Sequence, residues 1–339
     1  MTQYQRIVLA SRPKGPPSLE NFRLEQADLP APGPGEVLVR TIWMSLDPYM
    51  RGRMDAGASY AAPVEVGHTM EAGCVAEVVT SNADRLAPGN IVAGRVGWAS
   101  HGVLPAKELR KVDPDLAPVS TALGVLGMPG HTAWVGVNDI LAAQAGETIV
   151  VSAATGAVGS VAGQLAKRKG LRVLGVAGGA EKCRYAVDKL GYDVCLDHRD
   201  PDLAAEMAAL TPQGVDCYYE NVGGKTLEAV LPRMNDFGRI AVCGMIAWYS
   251  GKGVGEAMRL PAAWRAILVK RLRVQGFIVF DHMDRLKPFL AEVGPLVASG
   301  AIHYRETVTE GLETAPAAFL QLLEGGNFGK QLVRVGADP

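Results

Sequence analysis

At 339 residues, with 48% hydrophobic residues, the chain is long enough for two domains with substantial cores. Its formal net charge of −1 argues against a nucleic-acid or membrane-surface partner, because phosphate-rich partners need a basic excess. The N-terminus has no apolar signal segment, and no window of eighteen uncharged apolar residues occurs, so we expect a soluble cytoplasmic protein.

The first 120 residues predict an antiparallel β domain or partial barrel. Short β-like runs at 36–42, 73–79 and 91–93 are separated by turn signals such as the proline- and glycine-rich stretch 30–35.

From about residue 121, strands alternate with helical stretches, which is typical of a doubly wound parallel sheet in an α/β protein. The predicted strands are 148–152, 172–177, 194–197, 215–219, 239–243 and 273–279. From about residue 304 the pattern is β-α-β again, with strands at 305–310 and 331–335 around a helix at 314–324, which predicts a return to the first domain.

Residues 147–170 predict a dinucleotide phosphate site. A buried strand passes through the turn Ala154-x-Gly156-x-x-Gly159 into a helix, and Ala at the first position leaves the turn one residue short of G-x-G-x-x-G. Gly156 would let the backbone approach a pyrophosphate, and Gly159 would let the helix pack close on the strand. The N–H groups and positive dipole end of the helix would face the phosphates. The alternative is a tight turn with no ligand.

The end of the second strand indicates which dinucleotide is bound. An NAD site usually places Asp or Glu there, against the ribose 2′-hydroxyl. This chain has Gly178-Gly179 instead, with Lys182 and Arg184 within the next helical turn. NADP(H) is therefore favoured over NAD(H), the alternative for Lys182 being an ordinary solvated lysine.

Five cysteines are scattered along the chain without a C-x-x-C pair. An odd count at wide spacing favours reduced thiols over a disulfide framework, and it argues against structural zinc, which needs closely spaced ligands.

Four further stretches narrow the choice of protein family, at 46–51, 127–133, 219–224 and 326–330. In this order and spacing they resemble the zinc-independent medium-chain dehydrogenase/reductases, and within those the prostaglandin reductase, curcumin reductase and plant double-bond reductase group. The resemblance implies a GroES-like β domain plus a doubly wound Rossmann domain, with the active site in the cleft between them. It also implies NADPH-dependent reduction of the carbon–carbon double bond of α,β-unsaturated ketones and aldehydes.

We accordingly expect a GroES-like catalytic domain at 1–125, a Rossmann NADP(H)-binding domain at 126–303 and a return to the catalytic domain at 304–339. The expected partners are a small enone or enal substrate, the cofactor NADPH/NADP+ and a second copy of the chain in a homodimer, with neither nucleic acid nor membrane involved.

The resemblance implies cofactor contacts residue by residue. His198 stands where relatives often carry a tyrosine, and a turn or core role is the alternative for Asn221, Asn327, Met128 and Phe277. The full set is Met128, Gly156, Ala157, Val158, Gly159, Ser160, Lys182, His198, Asn221, Cys243, Gly244, Met245, Ile246, Ala247, Trp248, Tyr249, Phe277, Ile278, Val279 and Asn327.

No metal is expected, although the wider superfamily includes zinc alcohol dehydrogenases. The stretch that carries their early cysteine ligand reads 43–48 here without a cysteine, and Gly67-His68-Thr69 lacks the glutamate of their Gly-His-Glu motif. One histidine cannot supply three protein ligands. His68 is therefore interpreted as a structural or cleft residue.

Enone reduction needs a hydrogen-bond donor to the carbonyl oxygen as the enolate forms. Tyr49 is the first candidate and Tyr249 the second, with a packed aromatic anchor as the alternative for Tyr49. Two rival functions stay open: a quinone reductase of the same superfamily, and a redox-sensing protein that holds NADPH without turnover.

Overall fold

The computed structural model describes residues 3–57, 59–251, 258 and 260–338. The chain divides into two compact units. The first comprises Met1–Gly124 and Glu306–Pro339, and the second comprises Val125–Arg305.

The N-terminal part of the first unit is built mainly of strands. β1 and β2 form an antiparallel pair, whereas β3, β4, β5 and β7 pair antiparallel in succession and β6 pairs with the first half of β3. The elements are β1 (Gln3–Leu9), β2 (Phe22–Asp28), β3 (Glu36–Leu46), α1 (Met50–Arg53), β4 (Cys74–Ser81), β5 (Ile91–Gly94), β6 (His101–Pro105) and β7 (Arg110–Lys111).

The second unit holds a six-stranded parallel sheet with the order β10-β9-β8-β11-β12-β13. This is the doubly wound order of dinucleotide-binding domains. The elements are α2 (Met128–Val135), β8 (Thr148–Ser152), α3 (Gly159–Arg168), β9 (Arg172–Ala177), α4 (Ala180–Asp188), β10 (Val194–Asp197), α5 (Leu203–Leu210), β11 (Val215–Glu220), α6 (Gly224–Val230), β12 (Met234–Val242), α7 (Leu260–Lys270), β13 (Arg273–Gly276) and α8 (Leu286–Ala298).

Two strands differ from the sequence-based prediction. β12 begins at Met234, whereas the predicted strand begins at 239. The prediction started late because the polar residues that open β12 lack the apolar run that marks a buried strand in a sequence. β13 ends at Gly276, so the predicted strand to 279 was too long. After Gly276 the chain turns into a 3-10 helix at Val279–Arg285. The side chains of Phe277 and Val279 are buried in the core.

The chain then returns to the first unit through β14 (Glu306–Glu310), α9 (Ala315–Leu323) and β15 (Lys330–Arg334), which confirms the predicted β-α-β tail. β14 pairs parallel with β15, and β15 pairs antiparallel with the second half of β3. The mainly antiparallel sheet of the first unit and the parallel sheet of the second together confirm the predicted fold class.

An aromatic cluster fixes the tail against the core of the first unit. The rings of Phe22 and Trp98 stack with centroids 5.4 Å apart, and Phe319 of α9 meets Trp98 edge-on at 5.7 Å. Such pairs add about 0.5–1.5 kcal/mol each beyond the area they bury. None of the helices within the described ranges is long and apolar enough to cross a membrane.

In the second unit, α3 lies unusually close to the chain that leads into β10. A Cβ added to Gly163 would lie 2.1–2.3 Å from ring atoms of Tyr192, which is buried at 2% exposure. No side chain larger than hydrogen fits this contact without movement of the helix or the ring.

We therefore expect Gly163→Ala to destabilise the protein by about 1–3 kcal/mol, the usual cost of overpacking a core. The matched control is Gly52→Ala in α1, where an added Cβ meets nothing within 4 Å. Thermal and urea unfolding of both variants measure the difference. Equal stabilities of the two variants would contradict the close approach.

Candidate functional site

The turn after β8 brings the start of α3 directly against the strand end. Ala153 adopts a left-handed φ of +50°, which reverses the chain. A Cβ on Gly159 would lie 2.2 Å from the Ala153 carbonyl oxygen, and one on Gly156 would lie 3.1 Å from the same atom. Glycine at 159 is therefore a steric requirement, and the helix N-terminus stands at the carboxyl end of the strand.

The Tyr192 hydroxyl holds this helix start in place. It donates a hydrogen bond to the Gly159 carbonyl oxygen at 2.7 Å. Burial raises the pKa of Tyr192 well above its ordinary value, so the phenol keeps its proton and remains a donor. Tyr192 was not predicted from the sequence, because nothing in the glycine pattern indicates which later residue packs against the helix.

The predicted phosphate-binding residues occupy the turn and the first positions of α3. Gly156, Ala157 and Val158 are half-buried, whereas Gly159 and Ser160 are buried. The first N–H groups of a helix have no partner within the helix, and its positive dipole end favours anions. In α3 the N–H groups of Ser160 and Val161 donate to the Gly156 and Val158 carbonyl oxygens, and the helix presents its positive dipole end at the carboxyl edge of the sheet.

A second polar cluster lies where β9 and β10 end. A Cβ on Gly178 would lie 2.8 Å from Nε2 of His198, and one on Gly179 would lie 3.2 Å from Nη1 of Arg199. Lys182 follows in the first turn of α4 and interacts electrostatically with Arg199. We call Lys182, His198 and Arg199 the basic cluster.

Burial and the neighbouring positive charges disfavour the protonated forms of Lys182 and His198 in the basic cluster. Partial burial and then the neighbouring Arg199 lower the pKa of Lys182. Partial burial also lowers the pKa of His198; Arg199 and Lys182 add to the effect, and Asp197 opposes it. The Asp197 carboxylate accepts the backbone N–H of Arg199 at 3.0 Å. An anion placed among these side chains would relieve their mutual repulsion.

The end of β11 carries a buried carboxylate that organises the neighbouring backbone. Oε1 of Glu220 accepts hydrogen bonds from the Ser152 hydroxyl at 2.9 Å and from the backbone N–H groups of Val222 and Gly223 at 2.6 and 3.0 Å. Desolvation raises the pKa of Glu220. Asn221 Nδ2 donates to the Ser152 carbonyl oxygen at 2.8 Å, so this side chain joins the ends of β8 and β11.

The predicted nicotinamide-side loop, residues 243–249, packs onto the same strand ends. The N–H groups of Cys243 and Gly244 donate to the Glu220 carbonyl oxygen at 2.9 and 3.1 Å. Ile246 and Ala247 donate to the next two carbonyl oxygens of that turn, and the Trp248 ring covers Gly223. The Tyr249 hydroxyl accepts the Met245 N–H at 3.3 Å.

The remaining predicted residues of the second unit lie on separate elements. Phe277 is buried edge-on against Tyr219 with ring centroids 6.4 Å apart, whereas Ile278 is half-buried. Val279 is buried as well. Met128 opens α2 and its carbonyl oxygen accepts the Thr132 hydroxyl at 2.7 Å. The Phe277 side chain is thus buried in the core of the second unit.

Tyr49 and Asn327 lie on parts of the first unit that a buried ion pair links. Lys330 Nζ donates to the Leu46 carbonyl oxygen at 2.7 Å and to Asp47 Oδ1 at 2.6 Å. Asp47 is two residues before Tyr49, and Asn327 is three residues before Lys330 and donates to the Gly329 carbonyl oxygen at 2.7 Å. The ion pair therefore fixes both segments relative to β3.

The Tyr49 phenol is strongly held in its protonated form. Burial, followed by the charges of Asp47 and Glu71, raises its pKa far above the ordinary value. The Arg53 guanidinium carbon lies 5.6 Å from the Tyr49 ring centroid, and its Nε bonds Glu71 at 2.8 Å. Such a phenol donates hydrogen bonds but does not act as a base at physiological pH.

The structure offers no ligand set for zinc in the part of the chain that it describes. No three His, Cys, Asp or Glu side chains are grouped there so that they could hold a metal ion. His68 is exposed on the surface of the first unit.

Comparison with known proteins shows which family the chain belongs to. Residues 5–112 match a family model described as the N-terminal domain of oxidoreductase, and residues 157–293 match one described as zinc-binding dehydrogenase. The NADPH-dependent curcumin reductase of Escherichia coli (strain K12) is 50% identical over 98% of this chain and 97% of its own length. The chain belongs to the medium-chain dehydrogenase/reductase family. The predicted family resemblance is confirmed.

Two further members of the family cover the chain almost completely. Prostaglandin reductase 1 of Rattus norvegicus is 40% identical over 98% of this chain and 100% of its own length. The crystal structure of CurA from Vibrio vulnificus in complex with NADPH has a TM-score of 0.94 and 45% identity, covering 98% of this chain and 100% of that one.

Proposed function

We propose that this chain is an NADPH-dependent reductase of the carbon–carbon double bond of α,β-unsaturated ketones and aldehydes. The observation that carries the proposal is that two features lie at the carboxyl edge of the parallel sheet: the start of α3, where only glycine fits at position 159, and the basic cluster. Full-length relatives named as NADPH-dependent curcumin reductase and prostaglandin reductase 1 confirm the expected enzyme class and cofactor.

The residues present fit NADPH. The close approach at Gly159 leaves the N-terminus of α3 as a cradle for the pyrophosphate, and the basic cluster would receive the 2′-phosphate. On the nicotinamide side we assign Met128, Asn221, Cys243, Gly244, Met245, Ile246, Ala247, Trp248, Tyr249, Phe277, Ile278, Val279 and Asn327, and on the pyrophosphate side Gly156, Ala157, Val158, Gly159 and Ser160.

When bound, NADPH supplies the hydride that enters the β-carbon of the substrate. Tyr49 is proposed to donate a hydrogen bond to the carbonyl oxygen, where negative charge develops. Its raised pKa supports this role, because the phenol stays neutral and keeps its proton available. Tyr249 is the second candidate, although its hydroxyl oxygen is already engaged by the Met245 N–H within its own loop.

Lys182→Ala and Arg199→Ala should each weaken catalytic efficiency with NADPH about tenfold or more and leave that with NADH nearly unchanged. A hydrogen bond to a charged group contributes about 1.5–3 kcal/mol, and 1.4 kcal/mol corresponds to about tenfold in affinity. The matched control is Lys189→Ala, an exposed lysine just beyond α4. Steady-state kinetics with both cofactors measure the effect, and equal efficiencies of the unmutated enzyme with NADPH and NADH would refute it.

The reaction itself is tested with an enone such as a medium-chain 3-alken-2-one and NADPH deuterated at the transferable position. We expect deuterium on the β-carbon of a saturated ketone. Tyr49→Phe should reduce kcat by up to the equivalent of about 2.7–4 kcal/mol if no other donor substitutes for the hydroxyl.

Deuterium on the carbonyl carbon of an allylic alcohol would mean carbonyl reduction and would exclude this function. Faster turnover of quinones than of enones at matched concentrations would favour the quinone reductase, and failure of every substrate to oxidise bound NADPH would favour a sensor.

Metal independence is also proposed, although one matching family model is described as zinc-binding. Exhaustive chelation should leave activity intact, because the zinc ligands are replaced in sequence and His68 is exposed. Metal analysis of the purified protein provides the check. Stoichiometric zinc whose removal abolishes activity would be incompatible with this expectation.

We further propose a cytoplasmic location. All five cysteines are free thiols, which supports a reducing compartment.

A homodimer is proposed from the exposed edge of the parallel sheet. All four residues of the edge strand β13 are exposed, and the adjacent α7 exposes Trp264 and Leu268 at 65% and 76%. Unpaired edges and exposed apolar patches are typical of association surfaces. A second copy related by a two-fold axis would cover both features with the same surface on each subunit.

We expect light scattering to give a dimer for the unmutated protein and a monomer for the double variant Trp264→Glu/Leu268→Glu. The control is Leu19→Glu, which changes an exposed leucine of the first unit. A monomeric unmutated protein at micromolar concentration would refute this assembly.

A further inference from the structure

The turn after β10 places two basic side chains over the glycine step at the end of β9. A Cβ added to Gly178 would lie 2.8 Å from Nε2 and 3.4 Å from Cδ2 of His198, and 3.6 Å from Nη2 of Arg199. A Cβ on Gly179 would lie 3.2 Å from Nη1 of Arg199. The imidazole edge and the guanidinium therefore converge on one two-residue step, at the position where an NAD site carries its acidic residue.

Backbone hydrogen bonds hold the His198 ring in this place. The His198 N–H donates to the Ala177 carbonyl oxygen at 2.9 Å, which extends the pairing of β10 with β9 past Asp197. The Asp197 carboxylate accepts the Arg199 N–H at 3.0 Å, and the Asp197 carbonyl oxygen accepts the Asp200 N–H at 3.0 Å. Both His198 and Arg199 are nonetheless exposed, so that an anion can reach them from solvent.

The surroundings of His198 disfavour a charge on its ring in the free protein. The charged groups that act on it are Arg199 beside it, Lys182 in the first turn of α4 and Asp197 at the end of β10. Desolvation is the first cause that lowers the pKa of His198, Arg199 and Lys182 lower it further, and Asp197 opposes them. Since an ordinary histidine has a pKa of about 6.5, the ring of His198 is mostly uncharged at pH 7.

We propose that His198 is a ligand of the cofactor's 2′-phosphate that takes up a proton on binding, so that the protein holds NADPH more tightly at slightly acidic than at alkaline pH. This role of His198 rests on the proposed function, because it assumes that the basic cluster receives the 2′-phosphate. One contact of that cluster is then conditional on pH.

The direction of the pH dependence follows from the charge of the phosphate. A phosphate monoester has a second pKa of about 6 and is largely a dianion at pH 7. A dianion beside His198 favours the imidazolium and therefore raises the pKa of the ring above its value in the free protein. Between these two pKa values the ring is neutral in the free protein and protonated in the complex. NADPH affinity therefore falls as pH rises through the pKa of the complex, and it levels off where the ring is neutral in both states.

Isothermal titration in buffers of different ionisation enthalpy counts the protons taken up on binding. The comparison is between adenosine 2′,5′-bisphosphate and AMP at pH 7.5, where the phosphates of both ligands are already dianionic. We expect the bisphosphate to take up a fraction of one proton more than AMP. We also expect its affinity to fall by up to about tenfold between pH 6.5 and pH 8.5, the scale of one charge-assisted contact.

Three variants separate a titrating ring from a merely structural one. His198→Gln keeps a polar side chain that cannot be protonated, so the extra proton uptake and the pH dependence should both disappear. His198→Lys carries a charge throughout this pH range, so it should bind the bisphosphate tightly and with an affinity that does not change with pH. The control is His303→Gln, which replaces an exposed histidine of the second unit and should behave like the unmutated protein.

Nuclear magnetic resonance follows the ring directly. The chain has six histidines, and the Cε1 proton signal that is lost in His198→Gln identifies His198 among them. We expect adenosine 2′,5′-bisphosphate to raise the pKa of this ring and AMP to leave it nearly unchanged.

Equal proton uptake for the two ligands, or a pH dependence that persists in His198→Gln, would overturn the role of His198. A preference for the bisphosphate that is the same at pH 6.5 and pH 8.5 would leave phosphate recognition by the basic cluster intact and refute only the proton-linked contact. A bisphosphate that binds no more tightly than AMP at any pH would instead refute the proposed recognition of the 2′-phosphate itself.

Discussion

The close packing of α3 against the turn after β8 is the constraint on which the candidate site depends. Glycine at 159 and 163 lets the helix approach the Ala153 carbonyl and the Tyr192 ring to distances that no Cβ tolerates. The Tyr192 hydroxyl then fixes the helix start by its bond to the Gly159 carbonyl oxygen. Because the helix cannot shift, its N-terminal backbone and positive dipole end keep one direction relative to the strand ends, which favours an anion placed there.

The parallel sheet gathers the rest of the site around that helix start. Carboxyl ends of parallel strands share one edge, so the basic cluster after β9 and β10 and the Glu220 network after β11 lie on the same edge as the glycine turn. Glu220 acts here as a structural acceptor: its carboxylate holds the backbone of the following turn, and the loop of residues 243–249 packs on that turn. One edge therefore brings together the start of α3, the basic cluster and the loop of residues 243–249.

Local sequence patterns were sufficient to predict the apolar strands β8, β9 and β10 and the glycine turn after β8. They also predicted that β9 ends at Gly178-Gly179 without an acidic residue. They could not identify Tyr192 or Arg199, because these side chains reach the site only through the packing of later elements. The apolar run after Gly276 was mistaken for strand because buried residues in a turn have the same composition as buried strand residues. The glycine turn and the strand end predicted Gly156, Gly159 and Lys182 directly. The role of Tyr49 and the other cofactor contacts came from family resemblance and stay predictions, since sequence periodicity says nothing about where a hydroxyl points.

Selection of the cofactor's 2′-phosphate by the basic cluster can be tested by ligand binding, without any need for turnover. Isothermal titration would compare adenosine 2′,5′-bisphosphate with AMP, two ligands that differ only in the 2′-phosphate. We expect the bisphosphate to bind about tenfold more tightly than AMP, or better, and we expect this preference to disappear in a Lys182→Ala/Arg199→Ala double variant. Equal affinities of the unmutated protein for the two ligands would contradict it.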